Sequence, residues 1–251
     1  MDSPQLVERL TTAIQRDLGA PETWVDIRAY VDSMAECLID ALWSERVRYS
    51  VVAGIIGRYR SYRSAIGADA DHDSAQDLLD TFGIGLGRWM DTIGNRQRAF
   101  SRDDAPFKAE LVRAGAGAAV TCGVTTTEAL RRGQARGTVA FNDLKSRWLQ
   151  LPAQHSGLTW ERLLLVAGVP GVPPDGWVIE YVSRALDPTG ARPATPHQAQ
   201  QIVHDAATSL GSSELRLRNA IWRFETKRDR AAGHGPKGTH RTQAGAIANE
   251  G

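Results

Sequence analysis

Cysteine is nearly missing from this chain: only Cys37 and Cys122 occur among 251 residues, far apart and outside any paired motif. That excludes a disulfide framework and supplies no ligand set for a zinc site or a four-cysteine iron–sulfur cluster. It points to the reducing cytoplasm. Long apolar runs are missing too. No stretch reaches the roughly 18 residues that a membrane-spanning helix needs, so no membrane partner is expected. The opening MDSPQLVERL has neither the basic nor the apolar region of a secretory signal. Strict apolar–polar alternation is scarce, which argues against strands. An excess of one charge is lacking as well. The net charge is +1, short of the basic excess of most nucleic-acid binders. Arginines nonetheless gather locally, at Arg58, Arg60 and Arg63, at Arg96, Arg98 and Arg102, and at Arg131, Arg132 and Arg136. Where charge sits matters more than its sum, although solvated arginine faces are the plain alternative. The length allows one sizeable domain or two small lobes sharing a core.

What is present is helical periodicity. Ser3-Pro4 opens a first helix, whose stripe of Leu6, Leu10, Ala13, Ile14 and Leu18 stops at Gly19. A longer helix is predicted over 22–43, with Met34, Leu38 and Leu42 at helical steps. The segment 51–59 is apolar on most sides, which predicts a central helix. Further helices are predicted over 74–82, 86–93, 106–120 and 141–150, and Thr125-Thr126-Thr127-Glu128 has the form of a capping box. Thr195-Pro196 caps a helix that runs to Leu210, and Ser213 opens the last, to about Lys227. Trp89, Trp148, Trp160 and Trp222 fall at apolar helical positions and are assigned to the core. Gly83-Ile84-Gly85-Leu86-Gly87 is like a nucleotide-binding loop only superficially, because no strand precedes it. The result is an all-α chain of about ten helices, with a polar, glycine-rich tail over 228–251 predicted to be disordered.

The stretch from Leu151 to Leu186 is the most informative. A helix ends near Gln150, a tight turn follows in Leu151-Pro152-Ala153-Gln154-His155-Ser156-Gly157, and a second helix starts at about Leu158. This is a helix–hairpin–helix pattern, in which outward backbone N–H groups at the second helix can hold one phosphate without any sequence-specific side chain. Val169-Pro170-Gly171-Val172-Pro173-Pro174 then makes a rigid link to Asp175 at the mouth of a new helix. Taken alone, Asp175 reads as an ordinary helix N-cap.

Taken together, these residues resemble the helix–hairpin–helix DNA glycosylase superfamily, which includes endonuclease III, adenine DNA glycosylase and the alkylpurine glycosylases. That family writes Leu-Pro-Gly-Val-Gly, a helix, a Gly/Pro loop and then a catalytic aspartate at a helix start. Here the hairpin leucine is Leu151 and the acid is Asp175, 24 positions later. Asp175-Gly176-Trp177-Val178, with Val182 and Arg184 beyond, is similar to the run that follows the family's aspartate. Phe107-Lys108-Ala109-Glu110 resembles its earlier Lys-Ala helix start. The likeness covers 49–186. Several positions depart from it. Ala153 and His155 replace hairpin glycines, Gly157 stands where lyase-active members carry a Schiff-base lysine, and the C-terminal iron–sulfur cysteines of some relatives are missing.

The resemblance implies a two-lobed helical fold, with a barrel over 45–172 and a second lobe formed by 1–44 with 173–227. It implies a cytoplasmic monomer without metal or cofactor that binds double-stranded DNA. Such an enzyme rotates a base out of the duplex and hydrolyses its N-glycosidic bond to an abasic site, without lyase chemistry. Asp175 would be catalytic, stabilising positive charge on the sugar and orienting the water. Ala153, Gln154, His155, Ser156 and Gly157 would grip the DNA backbone. Arg58, Tyr59, Asn95 and Trp177 would line the base pocket, with a core position as the alternative for Tyr59 and solvated positions for Arg58 and Asn95. The altered hairpin and the Arg-Tyr-Arg helix end point to a modified or bulky base, such as one in phage DNA. Two rivals remain: a helix–hairpin–helix module that binds DNA without catalysis, and a helical protein adaptor.

Overall fold

The computed structural model describes residues 3–24, 32–45 and 47–231. Among them are twelve α-helices and no strand, and one isolated antiparallel bridge joins Arg98 to Phe107. The all-α expectation holds. The helices are α1 (Ser3–Leu18), α2 (Met34–Trp43), α3 (Tyr49–Ala65), α4 (Ala75–Thr81), α5 (Leu86–Thr92), α6 (Lys108–Thr121), α7 (Thr127–Arg136), α8 (Val139–Gln150), α9 (Leu158–Val166), α10 (Gly176–Leu186), α11 (Pro196–Ser209) and α12 (Glu214–Ala231). No described helix is long and apolar enough to cross a membrane. The tail expected from 228 is helical as far as Ala231, and the remainder lies outside the described residues.

Local signals set most helix starts. Ser74 and Asp77 form a reciprocal capping box, and Thr138 and Thr195 accept N–H bonds from Phe141 and Gln198. The box expected at Thr125 is displaced by one residue, because Thr126 caps α7 through the N–H of Ala129. The helix predicted over 22–43 does not run through. Pro21–Thr23 makes a single 3-10 turn, Trp24 is extended, and α2 starts only after Ser33. The Ser33 side chain accepts from the N–H of Glu36 and donates to the carbonyl of Ala70 at 2.7 Å, which fixes the start there. Residues 25–31, part of that prediction, lie outside the described residues.

The buried apolar residues fall into two clusters. The first gathers side chains from Met34 to Val172, and the second joins Leu10, Ile14 and Trp24 to residues from Val178 to Ile221. The second is an assembly of α1, α10, α11 and α12. α2 was expected with the second group but belongs to the first, where it packs on α3, α4, α6 and α9. It is also the central helix, in place of α3: every residue from Met34 to Trp43 is buried. Its two acids are neutralised from a distance. Arg60 reaches Glu36, and the Nε of Arg162 donates to Asp40 at 2.6 Å. At its far end the buried Lys108 donates to the carbonyl of Trp43 at 3.1 Å and to that of Glu45, closing the C-terminus of α2. Trp89, Trp148 and Trp160 are buried as expected, while Trp222 is half-buried.

Packing in the first cluster leaves no slack after α5. A Cβ on Gly94 would stand 2.5 Å from one ring carbon of Trp89 and 3.1 Å from Trp43. Trp89 cannot yield, because it stacks on Phe82 at 4.4 Å and donates to the Thr81 hydroxyl at 2.9 Å. Gly94→Ala is therefore expected to destabilise by about 1–3 kcal/mol. A lower urea midpoint at unchanged slope would show it.

Candidate functional site

The link between α8 and α9 folds as the expected hairpin. The N–H of Gln154 bonds the carbonyl of Leu151 at 3.0 Å, and that of Gly157 bonds the carbonyl of Gln154 at 3.1 Å. Closing so tight a turn takes the backbone through the left-handed region twice, at Ala153 (φ 64°) and Gly157 (φ 76°). Ala153 is the one non-glycine with positive φ among the described residues. The hairpin thus sets an alanine in a conformation that glycine adopts without strain. The strain on an L-residue there is about 1–2 kcal/mol, partly offset by the extra chain entropy that glycine loses on folding. Ala153→Gly is expected to stabilise the protein by about 0.5–1 kcal/mol, read as a raised urea midpoint.

Two of the five hairpin residues cannot serve as expected. Gln154 is buried, with its side chain turned inward. Its Oε1 accepts from the Thr159 hydroxyl, its Nε2 faces the carbonyl of Pro152 at 3.3 Å, and its own N–H is spent on Leu151. The N–H of Gly157 is likewise taken. Among the described residues no acceptor is bonded to the N–H of Ala153, His155 or Ser156, and the last two residues are exposed. A phosphate grip at this turn comes down to those three amides and the imidazole.

After α9 the chain changes cluster. Val169 and Val172 are buried in the first, and Val178 is buried in the second, so Asp175 sits at the seam. It caps α10: its Oδ1 accepts from the N–H of Val178 at 3.0 Å, and its carbonyl accepts from Ile179 at 3.0 Å. The residue is half-buried: protein surrounds the carboxyl closely, yet part of its surface meets solvent. Burial pushes its pKa above the ordinary carboxylate value, against the N–H groups of Val178 and Trp177 and the charges of Arg218 and Arg162. Both arginines escaped the sequence reading. Arg162 anchors on the buried Asp40 of α2. Arg218 is buried on α12 and donates to the carbonyls of Val172 at 2.9 Å and Pro173 at 2.6 Å. The available signal was a charged residue between Leu217 and Ile221, in the apolar face of a helix.

The expected base-pocket residues do not converge on Asp175. Tyr59 is fully enclosed and its hydroxyl donates to Asp73 at 2.6 Å, so it has no face to offer a base. Arg58 and Asn95 are brought together, in an open depression of about 720 Å³ that also touches Ser50, Gly54 and Arg96. Neither Asp175 nor Trp177 lines it. Arg58 there donates to the carbonyls of Ile93 and Gly94, both at 2.8 Å, and Asn95 accepts from the N–H of Gln97. Arg58 thereby closes the end of α5, and Asn95 turns the loop that follows it. Trp177 is half-buried on the first turn of α10, two residues beyond the acid.

A family described as a domain of unknown function (DUF8548) matches residues 8–226, and the chain belongs to that family. No curated protein and no solved structure matches the chain.

Proposed function

We propose that this protein is a monofunctional DNA glycosylase of the helix–hairpin–helix type, acting on a modified base in double-stranded DNA. The observation that carries the reading is Asp175: a carboxylate capping a helix at the seam between two buried clusters, on a half-buried residue, 24 positions after the hairpin leucine. In this reading the two clusters are the two lobes and the duplex lies across the seam. The amides of Ala153, His155 and Ser156 steady a phosphate beside the extruded nucleotide. Asp175 faces the sugar. As the bond to the base breaks, the carboxylate stabilises the positive charge on the sugar and takes a proton from the attacking water. The base departs with the bonding electron pair and takes up a proton from solvent, while Asp175 returns its proton to solvent, so the products are the free base and an abasic site. Gly157 supports the absence of lyase chemistry twice over: it carries no amine, and its φ of 76° would strain a lysine. Trp177 is the residue best placed to border the base.

Duplexes carrying uracil, 8-oxoguanine, a methylated purine, 5-hydroxymethylcytosine or its glucosylated form, incubated with the protein and then treated with hot alkali, test this directly. Strand breaks on at least one duplex are expected, and only after alkali. Salt-dependent binding without breaks on any duplex would leave a DNA-binding module. No salt-dependent affinity at all would leave an adaptor.

A further inference from the structure

We propose that Arg218 is the positioning residue of this site, a cation carried on the last helix that fixes both the place and the charge state of Asp175. The catalytic half of this inference rests on the function proposed above; the electrostatic half does not. Arg218 is 4% exposed, so its charge is held inside the protein, and such a charge needs partners. It has two kinds. Nη1 and Nη2 donate to the carbonyls of Val172 and Pro173, the residues that lead into Asp175. Its Nη1 also lies 3.5 Å from a carboxylate oxygen of Glu214, one turn earlier on α12. The arginine thereby ties the second cluster to the linker that leaves the first, at the point where the acid is presented.

The positive charges of Arg218 on α12 and Arg162 on α9 both favour the ionised carboxyl of Asp175. The acids that face Arg218 are Asp175, Glu214 and, from α9, Glu161. Glu214 in turn meets His204 of α11 at 3.3 Å. Burial favours the neutral carboxyl at Asp175, and a neutral carboxyl can neither stabilise a sugar cation nor take a proton from water. The adjacent buried cation opposes that trend. A clamp made only to hold the linker would need donors, not charge, so the two roles separate by substitution.

The test follows the Asp175 carboxyl carbon by NMR in protein labelled with 13C at the aspartate side chain, assigned by the signal lost in Asp175→Asn. Arg218→Gln keeps a donor and removes the charge; the Asp175 midpoint is expected to move to higher pH. Arg218→Lys keeps the charge and should leave the midpoint near that of the wild type. Glu214→Gln, which lies partly in solvent, gives the opposite sign: Arg218 is released from its neighbour and the Asp175 midpoint moves down. If Arg218→Gln does not fold, Glu214→Gln decides alone. An unmoved Asp175 midpoint in folded Arg218→Gln, or in Glu214→Gln where that variant must decide, overturns the inference. Base excision is read separately, on the duplex of the panel that the wild type opens. There Arg218→Gln should lose roughly tenfold below its midpoint, the lower end of what one opposing charge is worth, and much less above it. Should the wild type open no duplex while the midpoints move as stated, the glycosylase reading falls and the control of Asp175 by Arg218 stands.

Discussion

Asp175→Asn is expected to abolish base excision, by a factor on the order of 10²–10⁴ in single-turnover rate, the usual worth of a positioned acid–base group. The fold should survive. Asparagine caps helices about as well as aspartate, so the bond from the N–H of Val178 is kept while only the charge is lost. Asp175 also gives the substitution a pH signature of its own. Burial raises its native pKa above the 3.8 of an unperturbed aspartate. Between those two values the folded state binds more protons than the unfolded one, so the carboxyl lowers stability as pH rises. Below 3.8 the contribution vanishes, because the group is protonated in both states. The asparagine variant should therefore gain stability over the wild type as pH rises through that window, and hold the gain at neutral pH. Equal urea midpoints for the two proteins at pH 7 would mean that the carboxyl is not paying a burial penalty. Full excision by a folded Asp175→Asn would remove the residue from the chemistry.

The parts of this molecule that were legible in the sequence are those decided within a few residues. Ser74, Thr195-Pro196 and Asp175 open helices because a short side chain there meets N–H groups of the next turn. The hairpin was legible for the same reason, and it survives Ala153 because the flanking bonds hold the turn. What could not be read depends on partners far along the chain. Glu36 and Asp40 make α2 look half-exposed, and only Arg60 and Arg162, 24 and 122 positions away, make it the buried centre. Tyr59 stands beside Arg58 in sequence, but one step along a helix turns a side chain by about 100°. That step carries Tyr59 inward to Asp73 and Arg58 outward to the end of α5. Arg218 lies 45 residues beyond the carbonyl of Pro173 that it holds; its place in the apolar face of its helix marks it as buried but does not name the partner.

Trp148→Ala is expected to cost about 3–5 kcal/mol of stability, the range for deleting a large buried aromatic. Trp148 is completely enclosed, with the ring of Trp160 at 5.9 Å, and α6 approaches it so closely that a Cβ on Gly115 would come within 3.3 Å of it. Neighbours packed this tightly cannot collapse into the space, which places the cost toward the upper end. A polar consequence is added. The indole N–H donates to the Thr159 hydroxyl at 2.9 Å, and that hydroxyl donates to Gln154 Oε1, so one chain of bonds runs from the core of α8 to the turn of the hairpin. Trp148→Phe separates the two effects. It keeps most of the apolar volume and removes the first donor, for a loss of about 0.5–1.5 kcal/mol. Thr159 can then rotate, and Gln154 loses the partner that keeps its side chain inside. Hydrogen exchange at the amides of Gln154 and Gly157, the two bonded N–H groups of the turn, should quicken in Trp148→Phe before global stability falls far. If the amides of Ala153, His155 and Ser156 hold a phosphate, DNA affinity should drop in the same variant and its dependence on salt should become shallower. Unchanged affinity alongside quickened exchange would move the DNA contact elsewhere on the molecule and leave the hairpin as scaffolding for Asp175.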